Sequence, residues 1–350
     1  MNTLAVLAQA PLWRQELQSV YEALGGSVWP LVLFGVSAAM GLARVVSNRL
    51  KRSTLCVFAA SILFLAGVFV LRWIVSGRAW YLPPVMNQYE AMLASALLGC
   101  IVAMVLELRW RNGVALLASS LYAVMILLAC RLVDGSLADH PGILDSPLMA
   151  MHVAIIIIGH AVAGMTLLLS YPYLFAVIWR SPGWPAKASV IAFQVAVIPG
   201  LIGWPALAFA KPELRDVCAT FAGATYLIAV AGMGALAFVT VSPRTDSAML
   251  AGMDRANIIL ARIGCFAITL GTILGAAWGD VAWGRWWGWD PKETWALITI
   301  VLLLIALHVR PIAGERRGLI TAVFCLLAAG AMLVNWIVVN YLLAGLHSYA

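Results

Sequence analysis

Apolar runs long enough to cross a bilayer recur from one end of this sequence to the other, and no other feature restricts the fold as strongly. A hydrocarbon core about 30 Å thick takes about 20 helical residues to cross. Ten stretches approach that length: 28–47, 54–74, 89–108, 114–133, 147–179, 188–210, 217–240, 257–279, 292–310 and 318–341. Backbone N–H and C=O groups in hydrocarbon must be satisfied within the protein, which leaves helices and closed barrels. The runs lack the in–out alternation of barrel strands. The expected fold class is therefore all-α, a polytopic membrane helix bundle of about ten transmembrane helices forming one integral membrane domain over residues 1–350. A composition of 63% hydrophobic and 11% charged residues excludes an ordinary soluble domain. Pro199, Gly200, Gly203 and Pro205 interrupt the run 188–210 near its middle, which predicts a kinked helix or a re-entrant hairpin there.

With the amino terminus outside, thirteen loop cations fall on one side of the membrane and eight on the other, Arg72 being counted among the eight and Arg262 left out as lying within a span. The positive-inside rule assigns the richer side to the cytoplasm. The net charge of +7 then reads as a topological bias, with membrane lipid rather than nucleic acid as the implied partner. The opening residues carry a short apolar stretch with no basic region ahead of it, which predicts no cleaved signal peptide. Residues 12–24 read as a short amphipathic helix lying in the interface. Six cysteines fall within or beside the spans and form no C-x-x-C pair, so neither a thiol relay nor covalent cofactor attachment is expected.

The polar interruption WGRWWGWDPKETWALIT, residues 283–299, is the richest local signal. Six of the fifteen tryptophans lie between 278 and 295. An isolated tryptophan such as Trp110 or Trp179 reads as an interfacial belt residue. A belt does not need such density in one loop, whereas a platform for a planar apolar ligand does. Trp283, Trp286, Trp287 and Trp289 are the candidate platform. Asp290 can cap the following helix, Pro291 suits its first position and Glu293 completes a D-x-x-E pattern, so the carboxylates have a structural reading beside a ligand-binding one. Arg285 and Lys292 read as counter-charges for carboxylates on a ligand edge, or for lipid phosphate.

The five histidines are at 140, 152, 160, 308 and 347, and an ionisable residue within a span is costly and more often functional. His152 sits near the outer end of its span and His347 just beyond the last one, so both flank the tryptophan loop on one face. Imidazole is a common haem-iron ligand, and two histidines bracketing such a surface fit a six-coordinate haem with its propionates near basic side chains.

These residues together resemble a known family. WGRWWGWDPKETWALIT followed by LHVR, with MHV upstream and GLHSY near the end, is similar to the CcsA/ResC-type cytochrome c biogenesis proteins, members of the haem-handling superfamily with a WWD motif. The resemblance is strong over 257–349, supported at 149–165 and echoed by LPPVMNQYEAMLAS at 82–95. The D-P-K-E-T-W continuation is typical of the CcsA branch rather than of CcmC or CcmF. The resemblance implies a haem-handling core over 257–349 with an external loop at 280–292. It also implies external axial ligands at His152 and His347, an inner, membrane-embedded site involving His308, and a ResB/CcsB-type membrane partner that supplies a second intramembrane histidine. The implied role is part of a holocytochrome c synthase that presents haem b, as ligand and substrate, for thioether attachment to the C-x-x-C-H thiols of apocytochrome c. Movement of haem across the membrane is a further implied role. The thiols come from the client, which accounts for the lack of a catalytic nucleophile here.

This sequence departs from the pattern in two places. The stretch 180–256 is longer than the family leads one to expect, by about two spans, and His160 stands where an aromatic residue is expected. Helix rise of about 1.5 Å per residue puts His160 roughly 20 Å below Pro147 and His308 roughly 25 Å below Pro291. One reading pairs them at an inner haem; the other leaves His160 hydrogen-bonded in the bundle and pairs His308 with the partner. A different class also fits the composition: a transporter of another planar or anionic molecule, with the broken run 188–210 as a midplane site. A purely structural membrane subunit is a third. The Ala- and Arg-rich chain favours a bacterial cytoplasmic membrane over a thylakoid one, with the WWD loop extracytoplasmic.

Overall fold

The computed structural model describes residues 11–47, 50–111, 113–131, 133, 135, 137, 146–180, 183–210 and 248–339. The expected span 217–240 and the ligand candidate His347 lie outside them. The described residues form helices at Leu12–Ala23 (α1), Val28–Ser47 (α2), Lys51–Ser76 (α3), Gln88–Trp110 (α4), Val114–Cys130 (α5), Pro147–Arg180 (α6), Trp184–Ala210 (α7), Ala248–Trp283 (α8), Pro291–Val309 (α9) and Arg317–Leu333 (α10). A 3₁₀ turn at Gly314–Arg316 precedes α10, and five residues of π-helix, Val334–Val338, prolong it. The all-α class is as expected.

Among the described residues six helices are long and apolar enough to cross a membrane, and a seventh is added if α1 and α2, bent by 42° at their junction, form one span. The expected count of about ten is larger. At 17 residues α5 falls short of the usual crossing length. Residues 184–210 run as the single helix α7, not as a hairpin.

The chain divides into two compact units, residues 1–161 with 270–286, and residues 162–269 with 287–350. In the first, α1 lies on α3, α2 on α3 and α5, and α4 on α3 and α5. The expected amphipathic helix is present as α1, and its Leu17 and Tyr21, four residues apart on one face, pack on Phe64, Val68, Leu71 and Val75 of α3. Interhelical hydrogen bonds fix the apolar contacts: Ser37 to Ser120 at 2.9 Å joins α2 to α5, and Ser95 to Tyr122 at 2.6 Å joins α4 to α5. The buried pair Arg44 and Glu107 links the ends of α2 and α4.

In the second unit the core is Leu167, Leu174 and Ile178 of α6 against Val190 of α7, Leu250 of α8 and Leu319, Val323 and Leu326 of α10. The seven- and four-residue spacing on α6, and the four- and three-residue spacing on α10, are each that of one helix face. Polar closure comes from Arg310, whose guanidinium makes two 2.6 Å bonds to Asp254 and one of 2.9 Å to Thr321. The Asp254 carboxylate, by accepting these bonds, raises the Arg310 pKa above its ordinary value despite partial burial.

Candidate haem-handling site

In the first unit α8 carries Gly271, Gly275 and Gly279, four residues apart and so on one face. A Cβ on Gly271 would lie 2.6 Å from Cγ1 of Ile156, and one on Gly275 would lie 2.5 Å from Cε1 of His152. Only glycine permits α6 to approach this closely. The ring of the half-buried His152 thus occupies the volume a methyl group would take. Its Nδ1 is 2.7 Å from the carbonyl oxygen of Gly271. A carbonyl only accepts, so Nδ1 carries the hydrogen and the lone pair of the neutral ring is on Nε2. Such a bond fixes both tautomer and ring orientation in metal-ligating histidines.

The same stretch of α6 meets the start of the tryptophan loop. Met149 and the deeply buried Trp278 form one cluster with Met86, Leu148, Val153, Ala282 and Trp283. Trp278 and Trp283 meet edge to face, with centroids 4.8 Å apart at 77°. Helix α8 ends at Trp283 because Gly284 turns left-handed, φ 70°, and its N–H bonds back to the Asp280 carbonyl at 2.9 Å. Arg285 and Trp286 follow, both exposed, the latter by 56%.

In the second unit Trp287 and Trp289 pack edge to face at 5.8 Å. Trp289 is 70% exposed and holds φ 57°, a left-handed conformation that a tryptophan rarely adopts. Asp290 accepts the N–H of Lys292 at 3.0 Å, and Glu293 accepts those of Gly288 at 2.8 Å and Asp290 at 3.1 Å. With Pro291 in the first turn this is a complete capping box, so the structural reading of both carboxylates is realised. Lys292 is half-buried in the first turn.

The deeper histidines differ. His160, eight residues below His152 on α6, is buried, whereas His308 is exposed near the end of α9. The Nδ1 of His308 is 2.8 Å from its own Leu304 carbonyl, which again puts the lone pair of the neutral ring on Nε2.

Sequence reasoning missed the charge cluster beneath Met86. Arg72, assigned to a loop by the charge count, is fully buried: its Nε donates to Glu90 at 3.0 Å and its Nη1 to the Tyr21 hydroxyl at 3.0 Å and the Gly135 carbonyl at 2.8 Å. Glu90 also accepts from Arg78 at 2.6 Å and from the Met86 N–H at 3.0 Å, while Asn87 caps its helix. The physical reason is pairing, since a desolvated guanidinium persists only where carboxylate, hydroxyl and carbonyl acceptors replace water. The signal was two arginines, Arg72 and Arg78, shortly before the carboxylate of the N-x-Y-E segment and close enough to the spans to be buried.

The apolar helices define a multi-pass membrane protein. Residues 85–347 match the family described as Cytochrome C assembly protein, and the chain belongs to it. Within the family it is similar to the cytochrome c biogenesis protein CcsA of Porphyra purpurea, 28% identical over 93% of this chain and 95% of that protein. It is also similar to CcsA of Gloeobacter violaceus, 29% identical over 83% and 84%. Protein NrfI of Wolinella succinogenes is 37% identical over 98 residues, which span only 11% of that longer protein.

Proposed function

We propose that this chain, whose family gives it a role in cytochrome c biogenesis, is the haem-handling subunit of a cytochrome c synthase. Haem b would lie on the external surface of Trp283, Trp286, Trp287 and Trp289, with His152 and His347 as axial ligands and Arg285 and Lys292 toward its carboxylates. The observation that carries this reading is the His152 ring, wedged over Gly275 with Nδ1 committed to the Gly271 carbonyl beside the Trp278–Trp283 cluster.

The reaction served is addition of two apocytochrome thiols across the haem vinyl groups. Each addition forms a C–S bond, the thiol hydrogen passes to the other vinyl carbon, and no group leaves. This chain contributes orientation: the aromatic rings hold the plane by dispersion and the fixed imidazole sets its height. The client's histidine then displaces one axial ligand for release.

The proposed setting is a bacterial cytoplasmic membrane with ten spans, the loop outside and a ResB/CcsB-type partner. The exposed His308 on α9 is available to such a partner, and the buried His160 on α6 is the in-chain alternative. Glycine at His152 or at His347 is expected to abolish maturation of a C-x-x-C-H reporter, and added imidazole to restore part of it by occupying the vacated position. Full maturation in the double variant would defeat the assignment.

A further inference from the structure

The end of α9 away from the tryptophan loop borders a cavity of about 340 Å³ lined by Arg262, Leu307, Arg310, Pro311, Gly314 and Arg317. All six belong to the second unit. Asp254 neutralises Arg310 through two 2.6 Å bonds. Arg262 and Arg317 have no ion-pair partner among the described residues, so the described lining carries two positive charges beyond the one that Asp254 meets. The nearby Glu315 and Arg316 of the 3₁₀ turn carry opposite charges and leave that excess unchanged.

Depth narrows what fits. Arg262 lies on α8 within the second unit and lines the same cavity as the end of α9. Helix α9, with 19 residues, ends just before Arg310. The arginines therefore stand at headgroup level on the side opposite the tryptophan loop, with Leu307 and Pro311 offering an apolar wall. Paired guanidinium groups over apolar surface recognise an oxyanion attached to a greasy body.

We propose that this cavity binds the acidic group of an amphiphile, a phosphate or a carboxylate, through Arg262 and Arg317. Two molecules carry such a group at this depth: an anionic phospholipid and haem with its propionates. The haem source rests on the haem-handling reading and would place the acid beside the residue preceding His308; the lipid source does not depend on it.

The test uses the full chain purified in detergent, with Arg262→Gln/Arg317→Gln and Arg262→Lys/Arg317→Lys as double variants. One arm titrates dioleoylphosphatidylglycerol against dioleoylglycerol by native mass spectrometry. The other titrates haemin against haemin dimethyl ester by Soret absorbance. In the arm that matches the true source, the acidic ligand binds about tenfold more tightly than its uncharged analogue. The glutamine variant erases that preference, and the lysine variant keeps most of it. A preference in the lipid arm alone assigns phosphate, and one in the haemin arm alone assigns propionate. Absence of preference in both arms, or a preference that survives the glutamine substitutions, overturns the site. If no form of haemin binds wild type at all, the haem-handling reading fails and the lipid arm still decides the anion site.

Discussion

Replacing Gly275 with alanine tests the His152 arrangement without touching the histidine. The new methyl would sit 2.5 Å from Cε1, 2.7 Å from Nδ1 and 3.1 Å from Nε2 of the ring. Relief requires the imidazole to retreat by about 1 Å, which stretches its 2.7 Å bond to Gly271 past the hydrogen-bond limit of about 3.5 Å. Overpacking costs about 1–3 kcal/mol and the lost bond about 0.5–1.5, while alanine in a helix returns about 1. The net loss, roughly 0.5–3.5 kcal/mol, is below the 5–15 kcal/mol that ordinarily holds a domain together. Protein should therefore still accumulate, but the ring moves by more than the about 0.5 Å that a ligand site tolerates. The assay is cytochrome c maturation in cells, with haem per purified chain measured by pyridine haemochrome and membrane-inserted protein by immunoblot. Gly275→Ala should lose most of its haem and, unlike His152→Gly, should not recover with imidazole, because the position is obstructed rather than vacated. Gly279→Ala is the control, since its nearest atoms would be 3.4 Å and 3.6 Å away. Full haem content and maturation in Gly275→Ala would refute the reasoning.

Three further outcomes are expected. Glu90→Gln leaves buried Arg72 without its carboxylate and should cost about 3–5 kcal/mol, read as a marked fall in membrane-inserted protein or in Tm; unchanged accumulation would show that Tyr21 and Gly135 suffice. Trp286→Ala/Trp287→Ala should deplete haem while protein level holds, whereas Trp179→Ala, which removes a ring stacked on Phe175 and faced by the Lys187 ammonium, should leave haem unchanged; equal haem in both variants would remove the platform. In the chain expressed without a partner, loss of one haem of two in each of His160→Ala and His308→Ala would support an inner in-chain pair, and no loss in His160→Ala would assign His308 to the partner.

What could be read from the sequence follows from how local each determinant is. The runs 54–74, 89–108, 147–179 and 292–310 became α3, α4, α6 and α9 within a few residues, because hydrophobic length and adjacent caps such as Asn87 and Asp290 set both extent and start. Helix α8 begins at Ala248 rather than near 257, since the polar turn containing Asp254 stays helical by pairing with Arg310, 56 residues away. Arg72 was misassigned for the same reason: its partners lie 18, 51 and 63 residues away in sequence. The tryptophans, the capping box and His152 were visible as types and spacings. The part played by Gly271 and Gly275 was not, although G-x-x-x-G was legible as a close-packing motif, because only the fold shows which side chain fills the groove.

Helix α9 has a mechanical consequence of its own. Its first turn is tied by Glu293 to the backbone of Gly288 and Asp290, so the last residues of the tryptophan loop are wound into the helix rather than hinged to it. Its eighteenth residue is His308. A helix of 19 residues is a stiff rod about 28 Å long, which cannot twist at one end without turning at the other. Rotation imposed at His308 by anything that grips it is therefore delivered to Trp289 as torque.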